Sequence, residues 1–351
     1  MGLMDLLKSS YEQNASDLIL KIGSPPVVRI SGELRKTDLP DSTTENIMGF
    51  LIQIMSKEQM ERFTEEHEIN FPAFIKDLCR LRVSCFMQRR KPSIVFRFIP
   101  LKIPLPDAIG IPPITTSLIS RTRGLILITG SSGCGKSTTL ASLIEWRNIT
   151  HECHIMSIED PAEFIFSDKK AMINQREVLR DTKSYSSALK HVLRQDPDVI
   201  VIGEMNDFET THQALTAAET GHLVLSTMHT IDASQTIERI IGMFPQRQQQ
   251  QARIHLSNNL IAIISQMLVK KKDGSGRVPV MEIMIANPAI RNLIRQGKTA
   301  QIPSVMQTSQ KQGMVSFSAS LSQFVSQNII SKEEVALISN KLEEMEIPNS
   351  S

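Results

Sequence analysis

Two rhythms of apolar residues divide the chain. Residues 15–23 (ASDLILKIG) alternate, with Leu18, Leu20 and Ile22 on one face, which predicts a half-buried strand. A Gly-Ser-Pro-Pro turn follows, and VVRISGELR (27–35) reads as a second strand broken at Ser31-Gly32. Residues 44–67 set Ile47, Phe50, Leu51 and Ile54 at helical spacing, while 80–86 (RLRVSCF) and 93–99 (SIVFRFI) return to strand pattern. Residues 1–99 thus read as a small α+β domain. Residues 100–113 hold five prolines, which supply no backbone N–H, so an extended linker is predicted. Its apolar residues predict that it packs against a core.

The second rhythm starts at 124. Short apolar runs at 125–129, 154–158, 199–203, 222–227 and 280–286 alternate with helical patterns, which predicts buried parallel strands in βαβ units over 114–351. Residues 247–268 read as one long helix with a four-Gln run in its solvated first turn, and Asp273 to Gly276 as a turn before the last strand. From about 288 the chain reads as helical, ending in a polar, frayed EIPNSS. Within that tail, Asn287 as N-cap, Pro288 at the first helical position and Gly297 beyond the last punctuate a helix. Ile290, Leu293 and Ile294 should be buried, with Arg291 and Arg295 sharing another face, read either as solvated arginines favouring the helix's negative end or as a functional surface.

Composition narrows the classes. The 351 residues suit two domains, and 39 basic against 37 acidic residues leave a net charge of +2. That balance gives no global pull toward nucleic acid or an acidic membrane surface. The four cysteines form no CxxC pair, which fits a reducing compartment and argues against a zinc module. No signal peptide and no run of 18 apolar residues is visible, so an intracellular protein without a membrane span is expected.

One motif sets the chemistry. GSSGCGKS comprises Gly130, Ser131, Ser132, Gly133, Cys134, Gly135, Lys136 and Ser137, followed by Thr138, and matches G-x-x-x-x-G-K-[ST] between a predicted strand and a predicted helix. Glycines let backbone N–H groups converge on a phosphate, and the helix adds its positive end. Lys136 would bridge the β- and γ-phosphates of ATP, and Ser137 would ligate Mg²⁺. The Cys134 side chain should point away from the phosphates. A second cluster, Glu159-Asp160-Pro161-Ala162-Glu163, sits at the carboxyl end of a predicted strand. It could serve a metal-bound or attacking water, or simply cap the next helix. The run DVIVIGE (198–204) has the form of a Walker B strand, with Glu204 a better metal-side acid than Asp198 because it lies past the strand end. His222 and His229 bracket the next strand, and at most one should face the nucleotide; His229, at the carboxyl end, is the candidate phosphate sensor.

Together, GSSGCGKST, IEDPAEF, LRQDPDVIVIGEM and TAAETGHLVLSTMHT, in that order, resemble the Walker A, Asp box, Walker B and His box of the secretion ATPase superfamily. More narrowly, residues 289–314 (AIRNLIRQGKTAQIPSVMQTSQKQGM) and 15–34 resemble PilT-type type IV pilus retraction ATPases, and the resemblance spans about residues 15–330. It implies a PAS-like N-terminal domain joined to a RecA-like P-loop ATPase domain with C-terminal helices. It also implies a homo-hexameric motor at the cytoplasmic face of the membrane, with nucleotide held between the domains. The partners implied are an inner-membrane platform protein and a paralogous retraction or extension ATPase. Glu163 becomes the candidate catalytic base, Glu204 the support for Mg²⁺ and water, and His229 the sensor; Arg82 and Arg97 match arginines that reach the phosphates, or are ordinary strand arginines. Asn206 stands where the family pattern has Arg and Gln296 where it has Glu; Ser84 and Ser318 depart as well. A weakly active or regulatory paralogue, or an assembly ATPase, is the alternative within the class. A RecA-like nucleic-acid motor would need a basic, aromatic-rich groove, against an aromatic content of 5%.

Overall fold

The computed structural model describes residues 2–76 and 78–338. They gather into two compact units, one up to Lys102 and one from Ile103 onward. The expected frayed end, 346–351, lies outside the described residues.

The first unit runs α1 (Leu3–Glu12), β1 (Ala15–Lys21), β2 (Val27–Ile30), β3 (Glu33–Lys36), α2 (Thr44–Ile54), α3 (Lys57–Glu66), β4 (Glu68–Ile75), β5 (Cys79–Gln88) and β6 (Lys91–Pro100). Its six strands form an antiparallel sheet in the order β3-β2-β1-β6-β5-β4. The alternation of β1 is borne out: Leu18 and Leu20 are fully buried in a core shared with Ile47, Leu51, Ile94 and Phe96. Ser31-Gly32 is a two-residue hairpin turn, as is Arg89-Arg90, both with positive φ throughout, the twist such hairpins require. The pattern over 44–67 is two helices, not one. Ser56 accepts from the Gln59 N–H while the Gln59 side chain returns to the Ser56 N–H, and this capping box starts α3 afresh.

The second unit runs α4 (Ile114–Ile119), β7 (Gly124–Thr129), α5 (Lys136–Thr150), β8 (His154–Glu159), β9 (Met172–Glu177), α6 (Tyr185–Val192), β10 (Val199–Ile202), α7 (Phe208–Glu219) and β11 (Leu223–Met228). It continues with α8 (Ala233–Gly242), α9 (Gln249–Asn259), β12 (Leu260–Lys270), β13 (Arg277–Ile285), α10 (Pro288–Gln296), α11 (Ile302–Thr308) and α12 (Phe317–Ser326). The sheet order is β13-β12-β7-β11-β10-β8-β9. All pairs are parallel except β12–β13. The central strands β7, β10 and β11 are buried at every position because helices cover both faces. Leu125 and Leu127 meet the α6–α10 side, while Ile126 and Ile128 meet the α4–α5 side. Ile109 and Ile111, from the proline-rich stretch, pack into the latter cluster, so that stretch is anchored in this unit.

Two expectations need correction. The long helix over 247–268 ends at Asn259, and LIAIISQMLVK is strand β12, buried along most of its length between β7 and β13. An apolar run with no glycine or proline before it satisfies helix and strand patterns alike, and pairing with β7 decides the outcome. The 280–286 run lies in an antiparallel edge strand, entered from β12 through the turn at 273–276, too short for a parallel crossover.

Candidate active site

The carboxyl ends of β7, β8, β10 and β11 carry the functional loops, the edge where open α/β sheets take ligands. The loop after β7 opens directly into α5, whose N-cap, Gly135, offers no side chain to its first N–H groups. Those donors are left for an anion. Gly130 has φ +146, and a Cβ there would stand 2.4 Å from the Gln266 carbonyl oxygen and 2.5 Å from Cys134 Sγ, so the loop closes only on glycine. The Cys134 sulfur is thus turned in toward Gly130, buried beneath the loop, while Ser131, Ser132 and Gly133 face solvent. Ser137 and Thr138 are half-buried in the first turn of α5.

Lys136 is 8% exposed, and burial lowers its pKa against the opposing charges of Cys134, Glu204 and Glu163. Its Nζ donates to the carbonyls of Gly130 at 2.9 Å and Ser131 at 3.0 Å, and lies 3.3 Å from His229 Nδ1. His229 Nε2 lies 2.9 Å from Glu204 Oε1. An ammonium can only donate, so Nδ1 is the nitrogen that would accept from Lys136; the Nε2 contact with Glu204 is close but lacks hydrogen-bond geometry, leaving Glu204 Oε1 buried without a donor. Lysine, histidine and glutamate, drawn from three loops, thus form one row across the strand ends. His229 lies just beyond β11; His222 lies before it, with Nδ1 3.1 Å from the Ala217 carbonyl, tied to the end of α7.

The three carboxylates at the end of β8 differ, and Asp160 is exposed. Glu159 takes hydrogen bonds from Ser157 and Gln175, but its burial outweighs them and raises its pKa. Glu163 is half-buried, makes no hydrogen bond among the described residues, and acts on Lys136 through its charge. Asp160 also has lone pairs to spare, but Glu163 is the carboxylate of this loop whose charge is felt by Lys136. Asp198 lies at the amino end of β10, where it accepts the His154 N–H at 2.8 Å, whereas Glu204 lies beyond the carboxyl end. Asp207 caps α7 through the Thr210 N–H, and Asn206 is exposed.

In the first unit Arg97 donates to the buried Asp17 at 2.9 Å, and Arg82 stands opposite Arg97 across the β5–β6 pair. Arg97 is therefore held by a local carboxylate. Arg291, expected on an exposed face, donates to the carbonyls of Ser257, Asn258 and Leu260 at the end of α9. The cap pattern of its helix is as expected, with Asn287 accepting from Ile290 and Gly297 left-handed.

Two contributors escaped the sequence reading. Gln266 of β12 is 2% exposed and donates to the Cys134 carbonyl at 2.7 Å, supporting the phosphate loop from below. Its role was invisible while 247–268 read as helix. Tyr185 reaches the turn between β8 and the Glu204 loop, which no local pattern signals. Among the described residues, no group of three His, Cys, Asp or Glu side chains could hold a metal by itself. No described helix is long and apolar enough to cross a membrane.

Residues 2–337 match the family described as Type II/IV secretion system protein. The chain is 43% identical, over 350 residues and the full length of both, to the Type IV pilus retractation ATPase PilT of Pseudomonas aeruginosa. It is 40% identical to the Type IV pilus ATPase PilU of the same organism, over 95% of this chain and 87% of that one. Among solved structures, the pilus retraction motor PilT with bound ADP superposes with a TM-score of 0.84 at 42% identity, covering 95% of this chain and 96% of the other. The ATPase DotB of Legionella pneumophila gives 0.86 at 25% identity, covering 96% and 95%.

Proposed function

This chain belongs to the Type II/IV secretion system protein family, and on that premise we propose that it is an ATP-hydrolysing motor that powers type IV pilus retraction. The observation that carries the reading is the Lys136–His229–Glu204 row beside an uncapped helix N-terminus, in a chain matched from end to end by a retraction ATPase. Backbone N–H groups of 131–136 would wrap the phosphates, and Lys136 would leave the Gly130 and Ser131 carbonyls to bridge the β- and γ-phosphates. Ser137 and Glu204 fit a bound Mg²⁺, which would neutralise charge on those phosphates. Glu163 takes the proton of the attacking water, and Glu204 orients that water. His229, freed from Lys136 when the lysine turns to nucleotide, senses the γ-phosphate. Arg82 and Arg97 are proposed to add positive charge at the phosphates.

By the same reading the working form is a homo-hexamer on the cytoplasmic side of the inner membrane, pushing on a platform protein beside a paralogous ATPase. Nucleic acid is not its track. Asn206 and Gln296, where the family pattern has Arg and Glu, favour one second reading, an accessory ring subunit with weak turnover. ATPase turnover of the purified chain, with the mass of its oligomer, tests both. Mg²⁺-dependent turnover by a six-fold assembly supports the motor. Tight ATP binding without turnover, even with the platform protein present, leaves the accessory subunit.

A further inference from the structure

The phenol of Tyr185 is not needed by any step above, yet it is sent into the site. Ser184 caps α6 through the Ser187 N–H and sets Tyr185 as the first helical residue. The ring packs against the core between α6, α7 and the sheet. Its hydroxyl then enters the space that Gly203 leaves by having no side chain. A Cβ on Gly203 would lie 2.7 Å from that oxygen, and also 3.3 Å from Glu159 Cα and 3.4 Å from the Ile158 carbonyl oxygen. Gly203 directly precedes Glu204, and its N–H is bonded to the Ile158 carbonyl at 2.8 Å. The hydroxyl therefore sits where the strand leading to Glu204 crosses the turn leading to Glu163.

We propose that the Tyr185 hydroxyl is a positioning group for hydrolysis, fixing the spacing between the Glu159–Glu163 turn and Glu204 so that both glutamates address one water. The assignment rests on the ATPase reading of this site. Burial, together with the nearby charges of Asp160, Glu159 and Glu204, raises the pKa of the phenol, so it keeps its proton throughout the working pH range. Its oxygen is hydrogen-bonded to the Asp160 backbone, a bond that works against the rise, and the uncharged phenol avoids the repulsion an ionised group would meet among these acids. An alanine at 203 cannot coexist with the oxygen; a phenylalanine removes that 2.7 Å clash and leaves the tighter-than-usual 3.3 Å contact with Glu159 Cα.

The test is a double-mutant cycle on the full-length protein with MgATP. Tyr185→Phe keeps the packed ring and removes one oxygen. Its KM and nucleotide affinity should stay within about twofold while kcat falls roughly tenfold, the scale of one lost orienting hydrogen bond. Gly203→Ala should cost far more turnover in the Tyr185 background than in the Phe background, and melting curves should show the same asymmetry. A Tyr185→Phe protein with wild-type kcat, or Gly203→Ala equally harmful in both backgrounds, overturns the role. A wild-type chain that never turns over overturns the ATPase reading and this role together. Wild-type turnover with an indifferent Tyr185→Phe overturns this role alone.

Discussion

Glu282 offers a sharp test of the fold around the site. It lies on β13, and its carboxylate accepts the N–H of Ala233, the first residue of α8, at 3.0 Å. Burial pushes its pKa from 4.5 up to about 7, against the lowering effect of that bond, and neighbouring Asp232 adds to the rise. The sign follows from linkage. Below about pH 4.5 the group is protonated folded and unfolded, and its contribution is complete. Between 4.5 and 7 only the folded state holds the proton, so stability drains away as pH rises. At about 1.4 kcal/mol per pH unit the loss is on the order of 3 kcal/mol, trimmed by partial exposure to about 2 kcal/mol. Glu282→Gln keeps an oxygen for the Ala233 N–H and removes the charge. The variant should melt like the wild type near pH 4.5, and about 6 °C higher at pH 8, given roughly 2–4 °C per kcal/mol for a unit this size. Melting both proteins across that range by calorimetry checks it. A constant gap between the curves, or a variant less stable at pH 8, refutes the argument.

Lys136→Ala should lose nucleotide affinity and turnover together, because the lysine meets phosphate in the ground state. Glu204→Gln and Glu163→Gln should still bind ATP but turn over at least ~100-fold more slowly, and near-normal rates in both would remove the two acids from the mechanism. Arg291→Ala, which strips donors from three carbonyls, should cost about 2–3 kcal/mol of stability, while the exposed Arg295→Ala costs little; equal melting temperatures would contradict the cap. Burial pushes the Cys134 thiol up, so iodoacetamide at pH 7 should label the partly exposed Cys153 well before it; mass spectrometry showing Cys134 labelled first would reverse its placement.

The legible parts of this chain were those where one local rule acted alone. Strands β7, β10 and β11 are mostly apolar and buried at every position, and the phosphate loop is a motif flanked by the right elements. The cap pattern of α10 could be read letter by letter. Strand β9 was missed because MINQRE is a polar, half-exposed edge strand. The break at Ser56 was written in a capping box but was outvoted by the apolar spacing across it. Residues 68–75 and the helix 3–12 gave no pattern strong enough to read. Within the site, Lys136, Glu204 and His229 came from motifs, whereas Gln266 and Tyr185 act across more than a hundred and nearly twenty residues of chain, distances at which only packing sets the partner.

The direct junction of α9 and β12 has a mechanical meaning. Arg291 of α10 grips the last carbonyls of α9 and the first of β12, and six residues further along the same strand Gln266 holds the phosphate loop. An extended strand of that length spans about 20 Å and resists stretching, since its backbone is already nearly straight. One irregularity lies on that path, a register shift against β7 between Leu260 and Ala262, and beyond it the pairing runs unbroken to Ser265. A load applied at α10 would therefore travel as along a tie rod, arriving at the carbonyl of Cys134 instead of dissipating in a loop.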